Sequence, residues 1–225
     1  MVVGNGLLAK NFSDFKNNNR FLIFASGVSN SNENRLIEFR KEKKLLLETI
    51  DKFPEKTLIY FSTCAFYDNY ISPSPYLNHK NEIEKLIKKN LTKYHIFRVP
   101  QIIGSTNQNQ LLGYLNSRVS NEIKFDLFDI ERNLIDLKFL KGVVNLILKN
   151  NLYENEVTNI SYPYNISVRK LVTIFEKIHK KKAIYKIKKK DGSLLIDSKK
   201  LVGLYEKLEF IYPDYYEERI KYYYE

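Results

Sequence analysis

The amino-acid sequence predicts an α/β protein built on a parallel, doubly wound sheet, and three observations carry that expectation. Apolar runs recur along the first half of the chain, FLIFASG, TLIYFST and HIFRVPQII, as strands buried on both faces require. Segments of helical spacing separate them, so the order over this half reads β-α-β-α-β-α-β. Gly4 and Gly6 stand between the first strand and the first helix, where the chain must turn sharply.

Taken in order, the chain opens with a short apolar strand, Met1 to Val3, and a helix-like segment from Leu7 to Phe15. A polar turn at Asn17 to Asn19 leads into the strand FLIFASG. Asn32 and Asn34 are candidate caps for a helix from about Asn34 to Asp51, with Leu36, Ile37, Leu45, Leu46 and Ile50 as its apolar positions. The strand TLIYFST, a Pro/Ser loop, a helix from about Tyr76 to Asn90 and the strand HIFRVPQII follow. Beyond Gly104 the pattern loosens. A helix is expected over Gln108 to Val119, then the strand IKFDLF, a strand-to-helix unit in RNLIDLKFLKGVVNLIL, the strand VTNISY, a helix from Val168 to His179, a lysine-rich strand and a tyrosine-rich end. Residues 1–112 are expected to form the core and 113–225 a small lobe, with 132–150 and 157–179 returning to the core sheet. The terminal tyrosines are read as packing their rings while wetting their hydroxyls.

Composition narrows the function classes. No run approaches eighteen consecutive apolar residues, and the start, MVVGNGLLAKNF, has neither the basic region nor the cleavage site of a signal peptide, so a cytoplasmic protein is expected. Cys64 is the only cysteine, which excludes an internal disulfide and a cysteine-built zinc site, and no metal is expected. The formal charge of +11 raises a polyanionic partner. The basic residues are mostly lysine, and with the abundance of Asn, Ile and Tyr this looks like coding bias, so neither a nucleic acid nor a membrane partner is expected. The lysine-dense run, Lys180 to Lys182 and Lys186 to Lys190, reads as a solvated face, with steering of an anionic substrate as the alternative.

Gly4, Gly6 and Ala9 form a G-x-G-x-x-A pattern. The first glycine permits the turn, the second lets backbone approach a pyrophosphate, and the small third residue allows close helix-to-strand packing. Phosphates would sit at the amino end of the following helix, where free N–H groups and the helix dipole favour negative charge. The acidic residue that usually follows about twenty positions on is absent, because the next strand ends in Ala25, Ser26 and Gly27. The choice between NAD and NADP is therefore open. Tyr76 and Lys80 stand four apart on one helix face. A phenol titrates near about 10, and a neighbouring ammonium lowers that value by favouring the phenolate. Tyr-x-x-x-Lys also occurs at Tyr185, so spacing alone singles out nothing. Setting does: Thr63 ends an apolar strand thirteen residues before Tyr76, at the carboxyl end of a parallel strand, where ligands bind.

In these blocks the chain resembles the NAD-dependent epimerase/dehydratase family, the extended branch of the short-chain dehydrogenases. GNGLLA, FASGVSNS, STCAFY with SPYLNHK, FRVPQIIG and RNLIDLKFL occur in the family's order, and NISVRKL followed by IDSKKL is similar to its carboxyl-terminal lobe. The resemblance implies a Rossmann-like sheet, shortened by the family's usual second and third strands, with a small carboxyl-terminal substrate lobe. It implies Thr63, Tyr76 and Lys80 as the catalytic set: Thr63 orients the substrate, Tyr76 is the acid/base, and Lys80 lowers its pKa and holds the nicotinamide ribose. Cofactor contacts are implied for Gly4, Asn5, Gly6, Leu7 and Leu8, for Ala25, Ser26 and Gly27, and for Tyr76, Lys80 and Val99. Substrate contacts are implied for Ser29, Asn30, Thr63 and Gln101, and for Arg132 as a clamp on a sugar-nucleotide diphosphate. Dehydratases of the family follow the threonine with an acidic pair. Here Cys64 and Ala65 follow, so an NAD(P)-dependent sugar-nucleotide epimerase or ketosugar reductase is expected, serving polysaccharide synthesis. The resemblance further implies a possible homodimer, paired through the helix of Tyr76 and Lys80. The alternative is a non-catalytic binding or scaffold relative, which the missing strands motivate.

Overall fold

The computed structural model describes residues 1–70, 73–104 and 110–225. The first half runs β1 (Val2–Val3), α1 (Leu7–Asn11), β2 (Phe21–Phe24), α2 (Leu36–Lys52), β3 (Thr57–Thr63), α3 (Pro75–Asn90), β4 (Tyr94–Val99) and β5 (Gln101–Ile103). Then come α4 (Leu111–Ser120), β6 (Phe125–Asp129), β7 (Glu131–Arg132), β8 (Leu134–Asp136), α5 (Leu137–Lys149) and β9 (Glu156–Asn159). The chain ends with β10 (Ile166–Ser167), α6 (Val168–His179), β11 (Tyr185–Lys189), α7 (Val202–Lys207) and α8 (Tyr215–Tyr224). None of the described helices is long and apolar enough to cross a membrane.

The chain divides into two compact units, one of Met1–Phe66, Ile71–Val99 and Val144–Ile160, the other of Tyr67–Tyr70, Pro100–Val143 and Ser161–Glu225. The core was expected to run to residue 112, but the division falls at Pro100. Proline has no N–H to continue a ladder, so the expected strand HIFRVPQII is broken into β4, in the first unit, and β5, which pairs with β8 in the second. Of the segments expected to return to the core sheet, only β9 joins it, and residues 161–179 stay with the second unit.

The first unit is a five-stranded, wholly parallel sheet in the order β1-β2-β3-β4-β9. In a full doubly wound sheet the first strand is central, with the second and third strands beyond it. Here β1 is the edge and β2 follows directly, as the shortened pattern requires. Strand alternation gives the sheet two covered faces. Leu22, Phe24, Leu58, Tyr60, Tyr94 and Ile96 pack with Leu46 and Ile50 of α2 and with Ile83 and Ile87 of α3. On the other face Phe12, at the end of α1, meets Phe61 with ring centroids 5.2 Å apart.

This arrangement has a topological consequence. The steps from β1 to β2, β2 to β3 and β3 to β4 all run in one direction, but α1 lies on the opposite face from α2 and α3. The first crossover therefore has the opposite hand to the next two, against the near-uniform right-handed rule. Loss of two strands accounts for it. A first helix that would lead away to strands beyond β1 keeps its face, while the chain passes straight back to β2. Because the chain leaves β1 towards one face and β2 towards the other, the carboxyl-end loops of these strands stand where a complete sheet has its switch point.

The second unit holds three strand pairs, β5 with β8 and β6 with β11 in parallel and β7 with β10 antiparallel. Ser167 caps α6 by accepting from the Lys170 N–H (3.2 Å), and Lys180 ends it in the left-handed conformation. The tyrosine-rich terminus is α8. Tyr215 stacks on Tyr162 at 4.1 Å, and Tyr216 donates to the Tyr164 carbonyl.

Candidate functional site

In the turn after β1, Gly4 adopts φ +119°, and a Cβ there would stand 2.5 Å from the Ala25 carbonyl oxygen. Glycine is thus required by both conformation and space, since the turn after β1 lies directly on the end of β2. Gly6 differs. Its φ of −74° suits any residue, and an added Cβ would meet nothing within 4 Å. The turn thus presents bare backbone to open space, the property a bound pyrophosphate needs. Asn5 and Leu7 are exposed, Leu8 is half-buried and Ala9 packs inward. The helix that follows is short: α1 spans five residues, with a 3₁₀ turn at Ser13–Phe15 where one continuous helix was expected.

The strand expected over FLIFASG ends at Phe24, leaving Ala25, Ser26 and Gly27 as a half-buried loop. Ser29 and Asn30 are exposed, and the Asn30 carbonyl accepts from the Glu33 N–H, closing a turn ahead of α2.

Thr63 and Val99 are register partners at the carboxyl ends of β3 and β4. The Thr63 oxygen accepts the Ala65 N–H at 3.1 Å, and its hydroxyl lies near enough to the Tyr76 phenol to influence its ionisation. Tyr76 reaches this position because Ser74 caps α3, accepting from the Leu77 N–H at 3.3 Å, with Pro75 in the first turn. Its ring is buried at 6% exposure. Burial pushes the phenol up to about 12, although the nearby Thr63 hydroxyl opposes that. The lowering expected from Lys80 is not what the site has, because burial and the nearby Glu42 charge both push the phenol up.

Lys80 is 2% exposed, and its Nζ donates to Tyr60 OH (2.9 Å) and to Glu42 Oε1 (3.1 Å), standing 5.9 Å from the centre of the Tyr76 ring. Burial pulls the ammonium below the usual lysine value against the attraction of Glu42. Glu42 is the residue that sequence reasoning missed. Burial alone would raise its carboxyl, but hydrogen bonds from His79, the Lys80 charge, Tyr60 and the Val28 N–H bring it down to about 2. Its signal lay in helical spacing. The buried stripe of α2 is Phe39, Glu42, Leu46, Thr49 and Ile50, so a carboxylate interrupts an apolar face. The stripe expected from sequence was rotated, for Leu36 and Ile37 are 64% and 54% exposed.

One turn further along α3, Glu84 accepts from Ser62 (2.6 Å) and from both ends of the Arg98 guanidinium (2.9 and 2.7 Å). Three successive turns of one helix thus meet the sheet through Tyr76, Lys80 and Glu84.

Arg132 and Gln101 belong to the second unit. Arg132 donates to Asp68 Oδ2 (3.1 Å), and its guanidinium lies over the Tyr70 ring at 5.6 Å. The expected diphosphate clamp is thus paired with a carboxylate in this structure. Gln101 is exposed in β5. The expected helix start at Gln108 lies outside the described residues.

The fold and these side chains define a Rossmann-like α/β protein, with the Thr63 hydroxyl at the end of a parallel strand and the Tyr76 phenol in the first turn of the helix that follows. No family model matches the chain, and no curated protein matches its sequence. Solved structures do. The chain is similar to a Thermus thermophilus UDP-glucose 4-epimerase in complex with NAD (14% identity, TM-score 0.66, covering 95% of this chain and 79% of that one). It is also similar to a dTDP-glucose 4,6-dehydratase from Bacillus anthracis in complex with NAD (13%, TM-score 0.71, 97% and 76%). A third is RMD from Pseudomonas aeruginosa complexed with NADPH (12%, TM-score 0.71, 91% and 80%). At these identities the shared property is the fold.

Proposed function

We propose that the protein is an NAD(P)-dependent sugar-nucleotide oxidoreductase, an epimerase or ketosugar reductase acting in the cytoplasm. The observation that carries this reading is the placement of Thr63 at the carboxyl end of β3, acting on Tyr76 in the first turn of α3, and the glycine turn after β1 close by the end of β2. The solved structures of this fold with NAD, NADPH or UDP-glucose support the substrate and cofactor classes.

The residues fit a dinucleotide in part. Gly4 to Leu8 offer bare backbone to a pyrophosphate, Ala25 to Gly27 and Val99 line the loop side, and Lys80 is the donor for a ribose. Such a cofactor supplies hydride transfer. The chain's own work is orientation and proton handling. Thr63 holds the sugar oxygen by its hydroxyl, and Tyr76 exchanges that oxygen's proton. A phenol near about 12 is fully protonated at neutral pH, so Tyr76 stands ready as an acid and is suited first to reduction. Arg132, once released by Asp68, is the cation for the substrate diphosphate, with Ser29, Asn30 and Gln101 as further substrate contacts.

The test is titration of NADH and NADPH with the purified protein, followed by nicotinamide fluorescence, then turnover of nucleotide sugars. Tyr76→Phe is expected to lower turnover by about 10²–10⁴-fold with cofactor affinity unchanged, the range general acid catalysis supplies. Failure of either dinucleotide to bind at millimolar concentration would overturn the reading. A second reading, a non-catalytic relative that keeps the fold, is favoured by one observation, the engagement of Lys80 by Glu42. Binding without turnover, indifferent to Tyr76→Phe, would select it.

A further inference from the structure

Lys80 and Glu42 form a closed arrangement with a consequence for ligand access. Glu42 Oε1 accepts from Tyr60 OH (2.6 Å) and Lys80 Nζ (3.1 Å), while Oε2 accepts from the Val28 N–H (2.7 Å) and from His79 Nε2 (2.8 Å). A carboxylate has about four acceptor directions, so this one is saturated. Lys80 has three donors, and Glu42 and Tyr60 take two. Gly27 stands against the same pair: a Cβ there would lie 2.8 Å from both Glu42 Oε1 and Lys80 Nζ. The loop after β2 is thus in direct contact with the ion pair, and the Val28 N–H ties it to Glu42.

We propose that Glu42 gates this site by holding the Lys80 ammonium and the Gly27–Val28 turn in one network, so that a nicotinamide ribose gains the full reach of Lys80 only by displacing Glu42. The inference rests on the dinucleotide reading above. A ribose diol presents two oxygens, and Lys80 has one donor left, so a two-point grip requires release of Glu42 or Tyr60. Tyr60 is itself held by Glu42, which makes the carboxylate the common lock. The apparent affinity for a ligand that needs the open arrangement is reduced by the fraction of time the lock is closed.

Glu42→Gln in the full chain removes the charge that retains Lys80 while keeping the side chain's volume. The Kd for NADH or NADPH is expected to fall about tenfold, the affinity equivalent of one recovered hydrogen bond from a charged donor. ADP, which lacks the nicotinamide ribose, should bind equally to both proteins, and adding Lys80→Met should abolish the gain. A merely structural role would not produce that selectivity. Equal and measurable dinucleotide Kd in wild type and Glu42→Gln overturns the gate and leaves the dinucleotide reading standing. No binding by either protein overturns that reading and the gate with it. Should Glu42→Gln lose its cooperative thermal transition, Glu42→Asp keeps the counter-charge but withdraws it by one methylene. A smaller gain with the same ligand selectivity supports the gate, and an unchanged Kd overturns it.

Discussion

Glu42 in the first unit and Asp136 in the second are each buried in an ion pair, and the two pairs are built differently. In the first, Glu42 is surrounded by four donors and its cation, Lys80, is enclosed with it, the two side chains being 1% and 3% exposed. In the second, Asp136 caps the start of α5 by accepting the Phe139 N–H (2.8 Å), meets the Tyr215 hydroxyl, and pairs with Arg219 (2.6 Å). Arg219 is 18% exposed and reaches over the Tyr222 ring at 4.7 Å. Asp136 works as a tether, joining the β8–α5 junction to the terminal helix through groups that still touch water. Glu42 spends its four hydrogen bonds on Lys80, Tyr60, His79 and the Val28 N–H of the turn beside Lys80. A purely structural ion pair needs no such location, and burial of this kind often costs as much in desolvation as it returns.

The sharpest break of that comparison is Asp136→Ala. Removing one partner of a buried pair strands the other, and about 3–5 kcal/mol of stability should be lost on denaturant unfolding. Release of α8 should accompany it, read as faster backbone hydrogen exchange over 215–224. Dinucleotide binding should survive if the tether serves the second unit alone.

Acid probes the other pair. The Glu42 carboxyl is held near 2 in the folded protein against an ordinary value of 4.5. A depressed carboxyl contributes stability that is complete above its unfolded value and is lost as pH falls through the folded one. The window is thus from about pH 5 down to about pH 2, and the contribution is about 3 kcal/mol. Wild type should lose stability more steeply than Glu42→Gln across that window in pH-dependent urea unfolding. Parallel curves would mean the pair is not ionised in the folded state.

Gly27→Ala presses on the same pair without altering a charge. Its Cβ would sit 2.8 Å from the tips of Glu42 and Lys80, which are flexible in principle but fixed here by their hydrogen bonds. Displacing them should cost about 1–3 kcal/mol by thermal melting, as overpacking does. A negligible loss would mean the network yields easily.

Much of the fold was legible because burial on two faces leaves a plain pattern. TLIYFST is β3 and Val168–His179 is α6, residue for residue, the latter fixed by Ser167 and by Lys180 at its end. Legibility failed where tertiary context decided. Asn34 heads no helix, since Arg35 is the N-cap and offers no side-chain bond, and Pro100 divided an apolar run between two units. The place of Thr63 at the carboxyl end of β3 was legible from its apolar run. Glu42 was not, because no motif contains it and only the true rotation of α2 brings it under Lys80.

The smallest expected effect separates stability from recognition. Gly6 has an ordinary φ and free space where a Cβ would go, so Gly6→Ala should change stability by less than about 0.5 kcal/mol, whereas Gly4→Ala meets both a left-handed φ and the Ala25 backbone. If the open backbone at Gly6 receives a pyrophosphate, Gly6→Ala should weaken dinucleotide and ADP binding together. Glu42→Gln should act on the dinucleotide alone. The two variants thus interrogate opposite ends of one extended ligand, and a Gly6→Ala protein of unchanged stability and unchanged affinity would remove the glycine turn from the site while leaving the Glu42 network to be judged on its own.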